Sequence, residues 1–314
     1  MGIALWASDE DLSAARVASL LRERGIDVTL VTPSVAGIDA TDLSSWVIAG
    51  ADLDACDAHL VRALPSPFVV PAPGEDTAAV ARRAFEAQER VQLAQAALAA
   101  AEARGGRVLN PCASLPFESK PWQLTAFARA GLPIPRTLIT AMPLAAERFV
   151  AALEAEGREA IVKPLIGGAT ARRIDAAARA RLVLLGPAPV ILQERVVGDD
   201  VRVTVVDGAV VSAVVIASAT LDYRDDPSYA SGGARYRPVE LPEQARACAI
   251  GAATTCAQRI SGVDLKRTAQ GTYVLLEANA APQWLDIEEK TGAPISAAVV
   301  AALLSTDALV SPPT

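Results

Sequence analysis

The chain has 314 residues, 52% of them hydrophobic and 21% charged, with a formal net charge of −7. That length supports two or three packed units, at a usual size of about 150 residues each, and the acidic balance argues against a nucleic-acid partner, whose phosphates need basic surface. The apolar fraction reflects Ala and Val enrichment, and no uninterrupted apolar stretch reaches the roughly 18 residues that a membrane span needs. Cys56, Cys112, Cys248 and Cys256 form no CxxC pair, and no secretory n-region or cleavage site stands at the start, so a reducing cytoplasmic setting with buried filler thiols is expected. His59 is the only histidine, so Ser-His-Asp catalysis and His-rich zinc sites are hard to build; it reads as structural or surface.

In chain order, residues 2–7 read as a buried strand, 11–24 as an amphipathic helix stopped by Gly25, and 26–31 as a second strand. This is a βαβ opening. Apolar runs at 46–48 and 67–70, with a helical stretch between them, extend it to a small parallel sheet, and an Ala-rich helix over 76–104 ends at Gly105-Gly106. Ala7-Ser8-Asp9-Glu10 stands where a GxGxxG would follow the first strand, which gives a dinucleotide site little support. The N-terminal unit is expected to orient a substrate or complete a cleft.

After a boundary near Gly105, residues 118–124 start a helix that carries Lys120, 131–137 form a stiff turn into a strand, and 143–157 form another helix. Residues 160–165 read as a strand in which Pro164 holds Lys163 extended. A lysine in so apolar a strand snorkels, pairs or meets a phosphate. Residues 166–170 form a Gly-Gly loop whose amides can cover phosphate oxygens or make a hairpin tip. The strand over 189–195 ends in Gln193-Glu194-Arg195 and leads through Asp200 into a strand over 201–206, a turn at Asp207-Gly208 and a return over 209–218. Arg202 lies within the apolar strand, either in a structural salt bridge to Asp200 or Glu194 or as a fork for a phosphoryl group or carboxylate. Residues 221–233 form a long polar loop that contains Arg224.

Near the C-terminus, Val263-Asp264-Leu265 and Leu276-Glu277-Ala278-Asn279 flank a turn candidate at Ala269-Gln270-Gly271, which brings Asp264 opposite or next to Glu277. Strand alternation groups Tyr273, Leu275, Glu277 and Asn279 on one side and Val274, Leu276 and Ala278 on the other. Two carboxylates and an amide carbonyl form a hard-oxygen set suited to magnesium. Solvated strand residues are the plain alternative.

Together, Lys120, Lys163, Gln193-Glu194, Asp200-Val201-Arg202, Gly262-Val263-Asp264 and Glu277-Ala278-Asn279 resemble the ATP-grasp carboxylate–amine ligase superfamily, and within it the RimK-like branch of glutamate ligases and ribosomal peptide maturases. The resemblance also rests on Asn279-Ala280-Ala281-Pro282, Ile287-Glu288 and Thr291-Gly292, and Gln283-Trp284 with Asp222-Tyr223-Arg224 is similar to the branch that macrocyclises ribosomal peptides. It implies an α/β (α+β) ATP-grasp fold: a Rossmann-like pre-ATP-grasp domain over 1–108, a central lobe over 109–195 and a C-terminal lobe with the metal site over 196–314, the two lobes clasping ATP.

By the same resemblance, Lys120 and Lys163 touch the nucleotide phosphates, and Gln193, Glu194, Arg195 and Val196 form the hinge beside adenine. Asp200 approaches the ribose or orders that hinge. Asp264, Glu277 and Asn279 bind magnesium, with two ions expected and manganese an alternative, and Arg202 stabilises an acyl phosphate. The segment from the hinge to Asp200 is short for the family, and no arginine ends the strand at Ile216-Ala217-Ser218, so Arg224 stands in.

The implied reaction activates a small-molecule or peptide carboxylate with ATP and joins it to an amine or hydroxyl, releasing ADP and phosphate. Ester or amide macrocycles on a precursor peptide, a kinase on the same fold, or a non-catalytic nucleotide-binding module are the alternatives. The oligomeric state is left open by the sequence, although ligases of the family it resembles are often homodimers or tetramers.

Overall fold

The computed structural model describes residues 2–32, 38–41, 45–48, 51–166, 170–218 and 220–305. β1 (Gly2–Trp6) is apolar and buried, and α1 (Leu12–Arg22) follows, its first turn closed by Asp11, whose side chain accepts from the Ala14 amide. Ala14, Val17, Ala18 and Leu21 recur at helical spacing and form the buried stripe that holds α1 to the sheet. β2 (Asp27–Val31) runs parallel to β1, and β3 (Ile38–Thr41), β4 (Ser45–Ile48) and β5 (Ala51–Asp52) make a small antiparallel sheet. β6 (Cys56–Val61), α2 (Thr77–Ala103) and β7 (Arg107–Leu109) complete a parallel sheet of order β2-β1-β6-β7.

Three expectations fail in this region. The run at 46–48 is a strand, but it pairs antiparallel with β3 and β5 and does not extend the parallel sheet. Between the runs at 46–48 and 67–70 lies β6 rather than a helix, because β1 takes a second parallel partner there and the buried residues 58–60 supply it. Residues 67–70 are not a strand: Pro65, Pro67, Pro71 and Pro73 withhold the amides a ladder needs, and Phe68 and Val70 are exposed. His59 is fully buried in β6, where its Nδ1 accepts from Trp6 Nε1 at 3.2 Å. Burial first, then the nearby Arg104 charge, lowers its pKa to about 4. Cys248 and Cys256 are buried as expected, whereas Cys56 and Cys112 are only partly so.

The middle of the chain comprises α3 (Lys120–Arg129), β8 (Thr137–Thr140), α4 (Pro143–Ala155), β9 (Ala160–Lys163), β10 (Arg172–Arg173), α5 (Ala176–Ala180) and β11 (Val190–Glu194). Its antiparallel sheet, ordered β10-β9-β11-β8, has a core of its own in which Val150 and Leu153 of α4 meet Ala160 and Leu192.

β12 (Asp199–Val206) and β13 (Ala209–Ala217) then form a hairpin whose turn residues Asp207 and Gly208 both have positive φ, 52° and 77°, the handedness that matches strand twist. α6 (Pro227–Ala230), β14 (Arg235–Pro238), α7 (Glu243–Thr255), β15 (Ile260–Arg267), β16 (Tyr273–Asn279), α8 (Leu285–Thr291) and α9 (Ile295–Leu304) follow. The sheet runs β14-β13-β12-β15-β16, all antiparallel. Val201, Val203, Val205, Val263 and Leu265 pack its back face on α7. Its front face passes Val206, Val214 and Ile260 to α9, which also meets Ile3 and Leu5 of β1 and Val17 of α1. Among the described residues no helix is long and apolar enough to cross a membrane.

Asn110 ties these parts together. Its amide nitrogen donates to the Ile260 and Ala280 carbonyls at 2.7 and 2.8 Å, and its oxygen accepts from the Arg259 and Ile260 amides, both at 2.7 Å. The hydrogen-bonding capacity of the amide is thus fully used in a buried place. Asn110→Ala leaves those backbone groups without a partner and is expected to lower stability by about 3 kcal/mol, read as a fall in urea midpoint at constant m.

Candidate active site

Between the central and C-terminal sheets lies a cavity of about 210 Å³. Residues at alternate positions of β12 and β15 face it: Asp200 and Arg202 from one strand, Asp264 and Lys266 from the other, while the intervening apolar residues face the α7 core. The register places Asp264 opposite both Arg202 and Glu277, and Gly262 opposite Asn279. Simple alternation fails in β16. A bulge sets Leu265 opposite Leu275 and leaves Leu276 extra, so Leu275 joins Ala278 in the core while Leu276 lines the cavity with Glu277 and Asn279.

Every candidate residue named from the sequence borders this one cavity: Lys120, Lys163, Gln193, Glu194, Arg195, Val196, Asp200, Arg202, Arg224, Asp264, Glu277 and Asn279. The residues of the Gly-Gly loop at 167–169 lie outside the described residues. Lys120 Nζ is 3.4 Å from Glu277 Oε2. Lys163 Nζ donates to Gln193 Oε1 at 2.9 Å, and Gln193 Nε2 donates onward to Thr137 Oγ1 at 2.9 Å. Burial lowers the Lys163 pKa, with Glu277 opposing and Lys120 reinforcing the shift. The Gln193 side chain therefore orients a lysine. Glu194 is paired with Arg136 and Arg158, and Arg195 with Glu159, so these two side chains are committed elsewhere, and their amides already bond the Arg136 and Glu159 carbonyls at 2.9 and 2.8 Å.

Arg202 pairs with neither Asp200 nor Glu194. Its Nε and Nη2 donate to the two carboxylate oxygens of Asp264 at 2.6 and 3.2 Å, and Nη2 also donates to Tyr223 Oη at 2.6 Å. Asp200 takes Lys266 instead, at 2.8 Å. The register explains the exchange, because Asp264 lies directly across from Arg202 whereas Asp200 lies across from Lys266. Burial raises the Asp264 pKa against the opposing charge of Arg202. On Arg202 burial works the other way, but the facing Asp264 outweighs it and the pKa rises. Arg224 closes a bidentate pair with Asp222 at 2.8 and 2.6 Å, which turns the burial-driven rise of the Asp222 pKa into a fall.

Tyr229 and Lys266 also line the cavity and had no part in the sequence reading, and so do Tyr223 and Gln283, which carried part of the family resemblance but were given no site role. For Lys266 the signal was present: it is a cation in the strand that carries Asp264, two positions along, and so on the same face. Tyr223 and Tyr229, in edge-to-face contact at 5.0 Å, come from the polar loop, where no periodicity announces direction.

Among the described residues no three His, Cys, Asp or Glu side chains form a metal cluster. The available set is mixed: the Asp264 and Glu277 carboxylates with the Asn279 amide, whose oxygen accepts from the Ala281 amide at 2.9 Å and keeps a second lone pair. These hard oxygens fit magnesium, which takes one or two carboxylates and leaves other positions to water and phosphate.

A model of the RimK-like ATP-grasp domain matches residues 119–303, more than half of the chain. The chain belongs to the RimK-like ATP-grasp family. A probable alpha-L-glutamate ligase of Serratia proteamaculans is 35% identical over 103 residues, 33% of each chain, and one of Enterobacter is 35% identical over 107 residues, 34% of each. The chain thus spans about a third of the length of these two curated relatives. Among solved structures, the ATP-grasp ligase PsnB complexed with a minimal precursor superposes with a TM-score of 0.80 at 29% identity, covering 96% of this chain and 97% of that one. The macrocyclase MdnC of Microcystis aeruginosa, bound with its precursor peptide MdnA, has a TM-score of 0.79 at 20% identity, covering 98% and 100%, and shows the shared fold. The α/β ATP-grasp fold expected from the sequence is therefore observed.

In this ATP-grasp chain Gly262 is where β15 passes the site most tightly. A Cβ there would lie 2.5 Å from Pro282 Cβ and 2.8 Å from Arg202 Nη1. Gly262→Ala is expected to cost about 1–3 kcal/mol, because proline cannot move aside and Arg202 is held by Asp264; a denaturant titration measures it.

Proposed function

We propose that this protein is an ATP-dependent ligase that activates a peptide carboxylate as an acyl phosphate and joins it to an amine or hydroxyl. The observation that carries the reading is one cavity: three lysines, three arginines and a hard-oxygen set, brought by two different sheets, α3 and the polar loop, border the same space. The likeness to precursor-bound PsnB along nearly the whole chain supports a peptide as substrate. The glutamate ligase relatives support carboxylate–amine joining, over a third of the chain.

In this reading a carboxylate oxygen attacks the γ-phosphorus of ATP and the bridging oxygen leaves with ADP. Lys163, oriented by Gln193, and Lys120, beside Glu277, attract the phosphate oxygens and hold them in line. Asp264, Glu277 and Asn279 would hold magnesium, which when bound offsets the charge of the triphosphate. A neutral amine then adds to the acyl carbon, phosphate leaves, and the surplus proton goes with the departing phosphate. Arg202 and Arg224, both at the cavity wall, supply donors for the negative charge that develops on the carbonyl oxygen. Arg202 is rigid in this role, because Asp264 and Tyr223 fix its guanidinium. No protein nucleophile is required.

Incubating the protein with ATP, magnesium and a precursor peptide rich in Asp or Glu is expected to release ADP and phosphate, with loss of water from the peptide seen by mass spectrometry. AMP and pyrophosphate, or a stable phosphopeptide, would count against the scheme. Glu277→Gln should lower kcat/KM by about 10²–10³ and leave the melting temperature near that of the wild type, since Glu277 is half-exposed at the cavity wall.

A further inference from the structure

Among the described residues β16 is the last strand of its sheet, with no further strand paired to its outer side. At Ala278 that open side is filled by Gln123 of α3. The Gln123 Oε1 accepts from the Ala278 amide at 3.1 Å, and its Nε2 donates to the Ala278 carbonyl at 2.7 Å. A primary amide carries a donor and an acceptor side by side, and here makes the pair of bonds that another strand would make. The orientation of the amide follows from its partners, an N–H on one side and a C=O on the other. Gln123 is buried, and its Nε2 reaches the Phe117 carbonyl at 3.1 Å as well, so its rotamer is fixed from both sides.

The position of this clamp gives it meaning. Ala278 sits between Glu277 and Asn279, both at the cavity wall, while the Ala278 side chain enters the core. Turning the peptide at 278 would swing both neighbours, because the side chains of adjacent strand residues take their direction from the backbone between them. Lys120 lies one turn before Gln123 on α3, and residues three apart share a helix face. The helix that presents the ammonium group to Glu277 therefore also grips the strand that carries Glu277.

We propose that Gln123 is a positioning residue that fixes Glu277 and Asn279 as metal donors by clamping the peptide between them. This rests on the reading of those two residues as metal donors. Leucine at 123 removes both bonds, and asparagine is one methylene too short to reach both, so neither replaces glutamine.

The test uses the full chain as wild type, Gln123→Leu, the milder Gln123→Asn, and Leu98→Ala as a control in the core beside α2, away from the cavity. Amide hydrogen exchange over residues 273–279 is followed without ligands, and Mn²⁺ uptake in the presence of ADP is titrated by electron paramagnetic resonance. Both Gln123 variants are expected to exchange the Ala278 amide faster and to bind Mn²⁺ about ten- to a hundredfold more weakly. Leu98→Ala is expected to melt earlier with unchanged Mn²⁺ affinity. Wild type that binds Mn²⁺ together with Gln123 variants that bind equally well overturns this inference alone. Wild type that takes up no Mn²⁺ overturns the metal reading, and this inference with it.

Discussion

A guanidinium and a carboxylate facing each other across two strands, Arg202 against Asp264, set the terms for the rest of the cavity. Taking either charge out of water alone is costly, so each depends on the other. Tyr223 adds a donor–acceptor contact from the loop, and Gly262 leaves room for the guanidinium by carrying no side chain. The strand register makes this pair inevitable once β12 and β15 align. The other charges of the site follow a similar pattern, with Lys120 set against Glu277, Lys266 against Asp200 and Arg224 against Asp222. A cavity with its charges already paired holds its polar side chains in place without an outside partner.

Support for that cavity comes from outside it. The front of the C-terminal sheet rests on α9, which is shared with the N-terminal sheet, and Asn110 bonds the backbone at Ile260 and Ala280 on either side of the hairpin. Arg62, at the end of β6, pairs with Asp11 at 3.0 Å, donates to the Pro282 carbonyl at 2.6 Å and lies over the Trp284 ring at 4.4 Å. Ser13 of α1 meets Gln283, which borders the cavity. The N-terminal unit thus braces the segment that follows the candidate metal residues. The central sheet, by contrast, has a separate small core and meets the cavity mainly through Lys163 and the residues after Gln193.

Much of the hairpin chemistry was legible because its signals are local. Asp207-Gly208 demands a two-residue turn, and the apolar runs around Gly271 fix a hairpin whose register pairs Asp264 with Glu277. Where the sequence reading went astray, a distant partner had the last word. The stretch that holds residues 56–61 read as helical, yet β1 needed a second parallel neighbour, and the proline-bracketed run at 67–70 could not be that neighbour. The bulge at Leu276 reversed the facing of Leu275 and Leu276, since one inserted residue shifts a two-residue repeat by half its period.

The sequence by itself determined the inventory of the site: which strands carry cations, which carry carboxylates, and the order in which they come. Those follow from turn chemistry and alternation, which act over a few residues. Only the tertiary structure decided who pairs with whom. Arg202 chose Asp264 over Asp200 through the strand register, Gln193 turned to Lys163 and Thr137, and Gln123 met a peptide 155 positions away. Such pairings depend on where whole sheets and helices come to rest, and a buried charge or amide accepts the partner that packing brings within about 3 Å.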